Sequence, residues 1–510
     1  MGHYRTVPRI VLATLNAKYV HAAFGLRCLL ANLGELREQA EIVEFDINQR
    51  PIDIVEQLLR AEPAILGFGV YIWNVAQTTE VVALLKRLRP EIRIVLGGPE
   101  VSYETEDQEI VRLTDHTVTG EADIKFAELC RRLFAGEQLP QIIPAELPAT
   151  AQLASPYDYY TEKDIAHRVL YVEASRGCPF TCEFCLSSLD IPVRAFPLEP
   201  FLASLDRLLA RGARQFKFVD RTFNLHLPTA RAILQFFLDR WQEGLFVHFE
   251  MVPDRLPPEL REIIAQFPRG GLQFEIGIQT FDEATSKNIS RRQNLARLED
   301  NIRYLRAHTG VHLHADLIIG LPGEDLVSFG RGFDRLVALG PQEIQVGMLK
   351  RLRGTPIVRH DGEFGMIYSP NPPYEIVQNR DISFSEMQRM RRFSRYWDLI
   401  GNSGRFTSTL PLLWKDGSPF SRFFAFSDWL HSKIRRTHEI AMNTLAESLF
   451  EFLTRVLEQD RCSAAEALSE DWMRSGQILP RFLVTTTPAP LPSAASATRM
   501  KRQARHAGAA

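Results

Sequence analysis

Three cysteines within eight residues carry the clearest chemistry in this chain. The stretch Arg176-Gly-Cys-Pro-Phe-Thr-Cys-Glu-Phe-Cys-Leu186 sets Cys178, Cys182 and Cys185 in a C-x-x-x-C-x-x-C spacing, and the 510 residues hold only six cysteines in all. Three thiolates on one loop can each bind one iron of a 4Fe-4S cluster. No fourth cysteine follows, so one iron is left open, and an open metal position is where a substrate or cofactor binds. The rival metal is structural zinc, which takes four protein ligands, usually in two pairs. No second C-x-x-C pair is present. A disulfide framework fails on the odd count of three within the loop and on compartment, because thiols stay reduced in the cytosol. Cys28, Cys130 and Cys462 stand alone in apolar surroundings and are expected to be small core residues.

Composition sets the frame around that loop. Apolar content of 45% and charged content of 24% are those of a soluble globular protein. A net charge of -2 gives no reason to expect a nucleic-acid partner. No run of apolar residues is long enough for a membrane span, and the N-terminal residues lack a signal-peptide pattern. A cytoplasmic location is the expectation.

Strand and helix signals alternate along the first part, residues 1–145. Short apolar runs at 9–15, 41–47, 64–70, 93–98 and 116–120 read as strands, with helical periodicity at 22–33, 52–60, 75–88 and 125–134 between and after them. This alternation predicts an α/β fold with a doubly wound, Rossmann-like parallel sheet. Ligands of such sheets sit beyond the strand carboxyl ends. Those ends carry Gly67 and Gly69, then Gly97-Gly98-Pro99-Glu100, then Gly120-Glu121. Glycine there lets a large flat ligand approach the backbone. Pro140, Pro144 and Pro148 mark irregular chain, and 146–167 is expected as a linker.

The cysteine loop follows a strand at 167–174 and opens a second alternating run, residues 168–355. Strands at 215–220, 246–252, 272–279, 312–319 and 343–349 alternate with helices, predicting a partial (β/α)6 TIM-like barrel. Reacting groups in such barrels collect at strand carboxyl ends. Candidates at that rim are Asp220, Glu275, Gln279, Arg291, Asp316 and the Gly320-Leu-Pro-Gly-Glu324 turn, with Gly320 and Pro322. Residues 356–480 are expected to form a small, mainly helical domain. Its Gly/Pro/Asn-rich start at 360–379 is read as a lid loop, and a helix at 384–400 carries Met387, Met390, Phe393 and Trp397 on its apolar side. The Pro/Ala/Ser-rich residues 481–510 are expected to be a disordered tail with a basic end at Arg499, Lys501, Arg502 and Arg505.

The cysteine spacing, with Phe184 before the last cysteine, resembles the radical S-adenosylmethionine (SAM) enzymes. Leu96-Gly-Gly-Pro-Glu-Val-Ser102 and Val118-Thr-Gly-Glu-Ala122 resemble the cobalamin (B12)-binding domains fused to such enzymes. The resemblance implies that Cys178, Cys182 and Cys185 hold the cluster and that SAM chelates the open iron, to be cleaved to a 5′-deoxyadenosyl radical. It implies that Asp220, Glu275, Gln279 and Arg291 hold SAM, with the backbone at Gly320 and Pro322 near the adenine. Cobalamin would then face Gly69, Gly97, Gly98, Gly120 and Glu121. The D-x-H-x-x-G signature of cobalt ligation is absent: Tyr19 and Phe24 flank His21, which is read as a polar loop residue. Methyl transfer to an unactivated carbon of a small molecule or peptide is the first expectation, with flavodoxin or ferredoxin as electron donor. A ring-forming or rearranging radical SAM enzyme without cobalamin uses the same parts, as does a non-catalytic cobalamin or redox sensor.

Overall fold

The computed structural model describes residues 9–474, 479–484 and 502–507. Its first sheet is six-stranded and parallel, in the order β2-β1-β3-β4-β5-β6, with β1 Ile10–Asn16, β2 Ala40–Asp46, β3 Ile65–Gly69, β4 Arg93–Gly97, β5 His116–Thr119 and β6 Ile142–Pro144. Helices α1 Phe24–Ala31, α2 Pro51–Arg60, α3 Val75–Leu88 and α4 Asp123–Phe134 cover it. The unbroken apolar run of β1 has a simple cause. Val11, Ala13 and Leu15 enter one core while Ile10 and Leu12 enter another on the opposite face. A strand buried on both sides has no polar face to show.

The second sheet is also six-stranded and parallel, in sequential order from β7 Leu170–Val172 through β8 Gln215–Phe218, β9 Phe246–Met251, β10 Leu272–Gln279 and β11 His312–Ile319 to β12 Glu343–Met348. It curves into a partial barrel whose outer helices are α5 Leu198–Ala210, α6 Leu227–Asp239, α7 Pro258–Ile264, α8 Leu295–His308 and α9 Leu326–Leu339. Here the alternation is polar inward and apolar outward. Leu313, Ala315, Leu317 and Ile319 are buried in the core, while His312, His314 and Asp316 take the other face of β11. The predicted α/β class with two parallel sheets is therefore observed.

Two expectations for the chain between the sheets need correction. The proline-marked segment supplies β6, an edge strand where a missing N–H is tolerated. The expected linker contains a helix, Glu162–His167, capped reciprocally by Thr161 and Asp164. Asp164 also joins a buried ion-pair group with Arg27, Glu44 and Arg168, which packs the first sheet against the barrel (Arg27 Nη2 to Asp164 2.8 Å and to Glu44 3.1 Å).

After the barrel come α10 Phe384–Ile400, α11 Pro419–Ile434, α12 Met442–Glu451 and α13 Arg461–Arg474. The expected lid loop is instead built structure. Two helical turns, Pro356–His360 and Asp361–Phe364, lead to a hairpin of Ile367–Tyr368 and Ile376–Gln378, and the Ile376 N–H donates to the Leu349 carbonyl. Cys462 is exposed on α13 and so is not a core residue, whereas Cys28 and Cys130 are buried. Part of the expected disordered tail is ordered too. Arg502–Ala507 is helical, and Arg502 pairs with Glu343 at 3.0 Å and Asp398 at 2.8 Å. Arg499 and Lys501 lie outside the described residues. Among the described residues no helix is long and apolar enough to cross a membrane.

Truncating Arg27 leaves Glu44 and Asp164 buried with Arg168 as their one remaining shared cation among the described residues. Arg27→Ala is expected to cost about 3–5 kcal/mol in chemical denaturation, whereas Arg303→Ala on exposed α8 should cost about 0.5 kcal/mol or less.

Candidate functional site

The cysteine loop is held at its base, its tip and its far side. At its base, the Asp220 carboxylate accepts from the Ala174 N–H at 2.9 Å and the Ser175 hydroxyl at 2.6 Å. Ser175–Arg176 then pairs antiparallel with Arg194–Ala195, and Cys178 N–H donates to Asp190 O at 3.0 Å. Gly177 sits at φ +88, where a Cβ would stand 2.6 Å from the Asp190 oxygen, so glycine is required there. Toward its tip, the buried Glu183 side chain takes His360 at 2.9 Å together with Ser290 and Arg359. The loop is thus bonded to the residues after β10 and to the segment after β12.

Cys178, Cys182 and Cys185 line one cavity of about 270 Å³, with Phe180 and Phe184 beside them. No group of three His, Cys, Asp or Glu among the described residues is gathered tightly enough to hold a single ion. Sulfurs spread around a cavity are what a cluster of several irons needs. Glu275 and Gln279 of β10, Asp316 of β11, and Arg291 line the same space. Gln279 adopts φ +73 at a register shift in β10, a costly backbone state of the kind that gathers at functional sites. Arg291 spans the strand end and the loop: Nη2 donates to the Gly277 carbonyl, and Nη1 lies 3.3 Å from Cys182 Sγ.

Charges below the cavity form a ladder inside the barrel. Glu275 Oε2 lies 3.2 Å from Lys217 Nζ and 3.0 Å from His248 Nε2. Burial alone would raise the Glu275 pKa, but His248 and Lys217 outweigh it and hold the group below the usual carboxylate range. Burial would lower His314, but Asp316 at 3.3 Å and Glu343 at 3.6 Å push it up to about 10. The barrel floor is therefore charged, and its charges are mutually compensated.

Two rim expectations are not met by the geometry. Asp220 is not among the residues lining the cysteine cavity, and both its oxygens bond the loop base, so it positions the loop. Gly320 and Pro322 also stand away from this cavity. A Cβ on Gly320 would meet Ile376 at 2.7 Å, and the Pro322 carbonyl takes the Asn288 amide. The turn's working residue is instead Glu324, buried and bonded to the Thr280 hydroxyl at 2.6 Å. Its sequence signal was only its place in the turn.

Gly69, Gly97, Gly98, Gly120 and Glu121 all line a second, largely apolar cavity of about 650 Å³ at the carboxyl edge of the first sheet. Gly98 stands at φ +110 with Val70 O only 2.4 Å from where a Cβ would be, while a Cβ on Gly97 would meet nothing closer than 3.8 Å. This open glycine floor fits a flat ligand such as a corrin. Glu121 does not project freely into it, because Arg176 at 2.9 Å and Arg194 take its carboxylate. His21 lines the cavity, its Nδ1 2.8 Å from the Tyr171 hydroxyl. The barrel supplies the opposite wall through Tyr171, Glu173, Arg176 and Arg221. Sequence reading passed over these residues; the one hint was that Arg176 and Arg221 adjoin residues already singled out.

Burial pushes the Glu324 carboxyl up to about 8 from an unfolded value near 4.5. The folded chain then keeps a proton that the unfolded chain has lost, so this group's contribution to stability falls as pH rises through that interval. Urea unfolding should show the wild type losing a few kcal/mol more than Glu324→Gln between about pH 5 and 8. Equal losses would mean that Glu324 is ionised in the fold.

Residues 10–130 match the family model of the B12 binding domain, residues 172–331 that of the Radical SAM superfamily, and residues 362–505 that of a Protein of unknown function (DUF4080). An uncharacterized methyltransferase of Pyrococcus horikoshii is 25% identical over 53% of this chain and 63% of its own length. The 2-(S-pantetheinyl)-carbapenam-3-carboxylate methyltransferase of Streptantibioticus cattleyicolor is 25% identical over 58% of this chain and 48% of its own. The chain thus spans about half to five-eighths of these relatives. Among solved structures, the radical SAM methyltransferase TsrM of Kitasatospora setae, with cobalamin and a 4Fe-4S cluster bound, has a TM-score of 0.57 at 17% identity and covers 75% of this chain and 81% of that one. That likeness is one of fold. By these matches the chain carries a B12-binding domain at residues 10–130 and a Radical SAM superfamily domain at residues 172–331.

Proposed function

We propose that this protein is a cobalamin-dependent radical SAM methyltransferase acting on an unactivated carbon of a small molecule or peptide. The observation that carries the reading is that the glycine-floored cavity and the cysteine-lined cavity share a wall at Arg221. A ligand lying on the first sheet and a cofactor at the cysteines would therefore meet at one place. The methyltransferase relatives support the same reading. When bound, the 4Fe-4S cluster and SAM supply a 5′-deoxyadenosyl radical, and cobalamin supplies a methyl group.

The chain's own part is placement. Cys178, Cys182 and Cys185 offer three sulfurs, and the Arg291 cation beside Cys182 stabilises negative charge there. Glu275, Gln279 and Asp316 offer acceptors to an ammonium or ribose hydroxyl in the same cavity. Phe180 and Phe184 keep part of its wall apolar, which strengthens each charge interaction inside. Arg221 Nη1 donates to both Glu250 oxygens, at 2.9 and 3.1 Å, and so is oriented before any ligand arrives. A cytoplasmic setting and a flavodoxin- or ferredoxin-type electron donor belong to this reading.

Anaerobic reconstitution tests it. Cys182→Ala should abolish the cluster's visible absorbance, and Cys462→Ala should keep it. Incubation with SAM and a strong reductant should release 5′-deoxyadenosine; none from protein with full iron and sulfide would sink the radical reading. Gly97→Leu fills the open floor without a backbone clash and should weaken cobalamin uptake about ten- to a hundredfold with the cluster intact. Unchanged uptake would place cobalamin elsewhere or nowhere.

A further inference from the structure

A third cavity, of about 990 Å³, opens beside β12 and is closed on its outer side by α10. It meets the cysteine cavity at Phe184, Gln279 and Asp316, which line both. The volume is at the upper end of small-molecule sites. Its wall comes largely from one partly exposed stripe of α10. Gln388, Arg391, Arg392 and Arg395 fall at i, i+3, i+4 and i+7 and so share one face. Met387, Met390, Phe393 and Trp397 turn another face into the core.

Pairing each charge shows what is left over. Glu375 takes Arg391. Asp398 takes Arg395 at 3.3 Å and Arg502 at 2.8 Å. Asp316 is matched with His314. Lys350 also lines the cavity, and among the described residues no carboxylate lies within ion-pair reach of it. Arg392 Nη2 makes only a long ion pair, 4.0 Å to Asp428 Oδ1, while Arg389 holds Oδ2 of the same carboxylate at 2.6 Å. The buried Nε atoms of Arg391 and Arg392 have no hydrogen-bond partner. Lys350 is thus left with no carboxylate partner among the described residues, and Arg392 with only a long one.

We infer that this cavity is the substrate site and that the substrate carries an oxyanion head, of phosphate or carboxylate type with about two negative charges, held by Lys350 and Arg392. Arginine suits such a head because its planar donors match two oxygens at once. The head would lie at the α10 end of the cavity, leaving the rest of the molecule to reach the Gln279–Asp316 opening toward the cysteines. This rests on the radical SAM reading, but its test involves no turnover, so either idea can fail while the other stands.

The test is calorimetric titration of the full, iron-loaded chain with pyrophosphate and with succinate at low salt. At least one probe should bind at a single site. Lys350→Gln and Arg392→Gln should each weaken it about tenfold or more, and Lys287→Gln, outside this cavity, should not. Preference for pyrophosphate would identify a phosphate head, and preference for succinate a carboxylate head. Cluster absorbance and thermal midpoint report whether each variant is folded; the Lys350 side chain makes no hydrogen bond or ion pair among the described residues, so its variant remains informative if Arg392→Gln is damaged. The inference is overturned if neither probe binds, or if all three variants bind alike.

Discussion

The Arg176 guanidinium, buried between the two sheets, is the contact on which the site depends. It reaches Glu173 at 2.8 Å on its own strand connection, and Glu121 and Asp123, each at 2.9 Å, on the far domain. An arginine cannot shed its proton to escape burial, so its carboxylates are obligatory partners. Gly177 and Cys178 follow directly. One cation therefore sets where the cysteine loop starts relative to the glycine edge of the first sheet. Glu100, Arg353 and Tyr374 make a comparable clasp on another side, with Arg353 to Glu100 at 3.0 Å and the Tyr374 hydroxyl to Glu100 at 2.9 Å. Burial raises the Glu100 pKa, and the two partners only partly offset it. The residues of the Arg176 clasp line the glycine cavity, which lies between barrel and sheet.

Inside the barrel the usual arrangement is inverted. Apolar residues face outward to the helices, and the interior carries Lys217, His248, Glu275, His314 and Asp316. Buried charges of this kind persist only when each has a partner. The compensated ladder leaves a polar channel that runs past the cysteines instead of a filled core. Three cavities in series follow from that choice: one over the first sheet, one at the cysteines, and one behind β12. Arg221 joins the first to the second, and Gln279 with Asp316 joins the second to the third.

The open edge at β12 explains the C-terminal region. A partial barrel exposes the last strand's edge, and exposed edges must be covered. The hairpin after Pro356–His360 continues that edge through Ile376, and α10 lies across it, its Ser394 hydroxyl bonding the Val346 carbonyl. Arg502–Ala507 closes the amino-terminal end of β11 and β12, where Arg502 meets Glu343. Covering the edge with a two-faced helix both seals the core and gives the third cavity its basic wall.

By itself the sequence determined whatever is written locally along the chain. The cysteine spacing, the strand-end glycines and the two hydrophobic periods need only neighbours a few residues away, so the parallel sheets, most helix limits and the cysteine loop were legible. Which polar side chains remain available was decided only by folding, because that depends on partners distant in the chain. Asp220 was read as a SAM contact and is consumed by the loop base; Glu121 was read as a cobalamin contact and is consumed by Arg176 and Arg194. Arg392 carried no signal, yet it keeps only a long pair with Asp428, 36 residues on, whose other oxygen Arg389 holds. Spacing shows which groups a chain possesses, and tertiary pairing decides which of them are still free to bind.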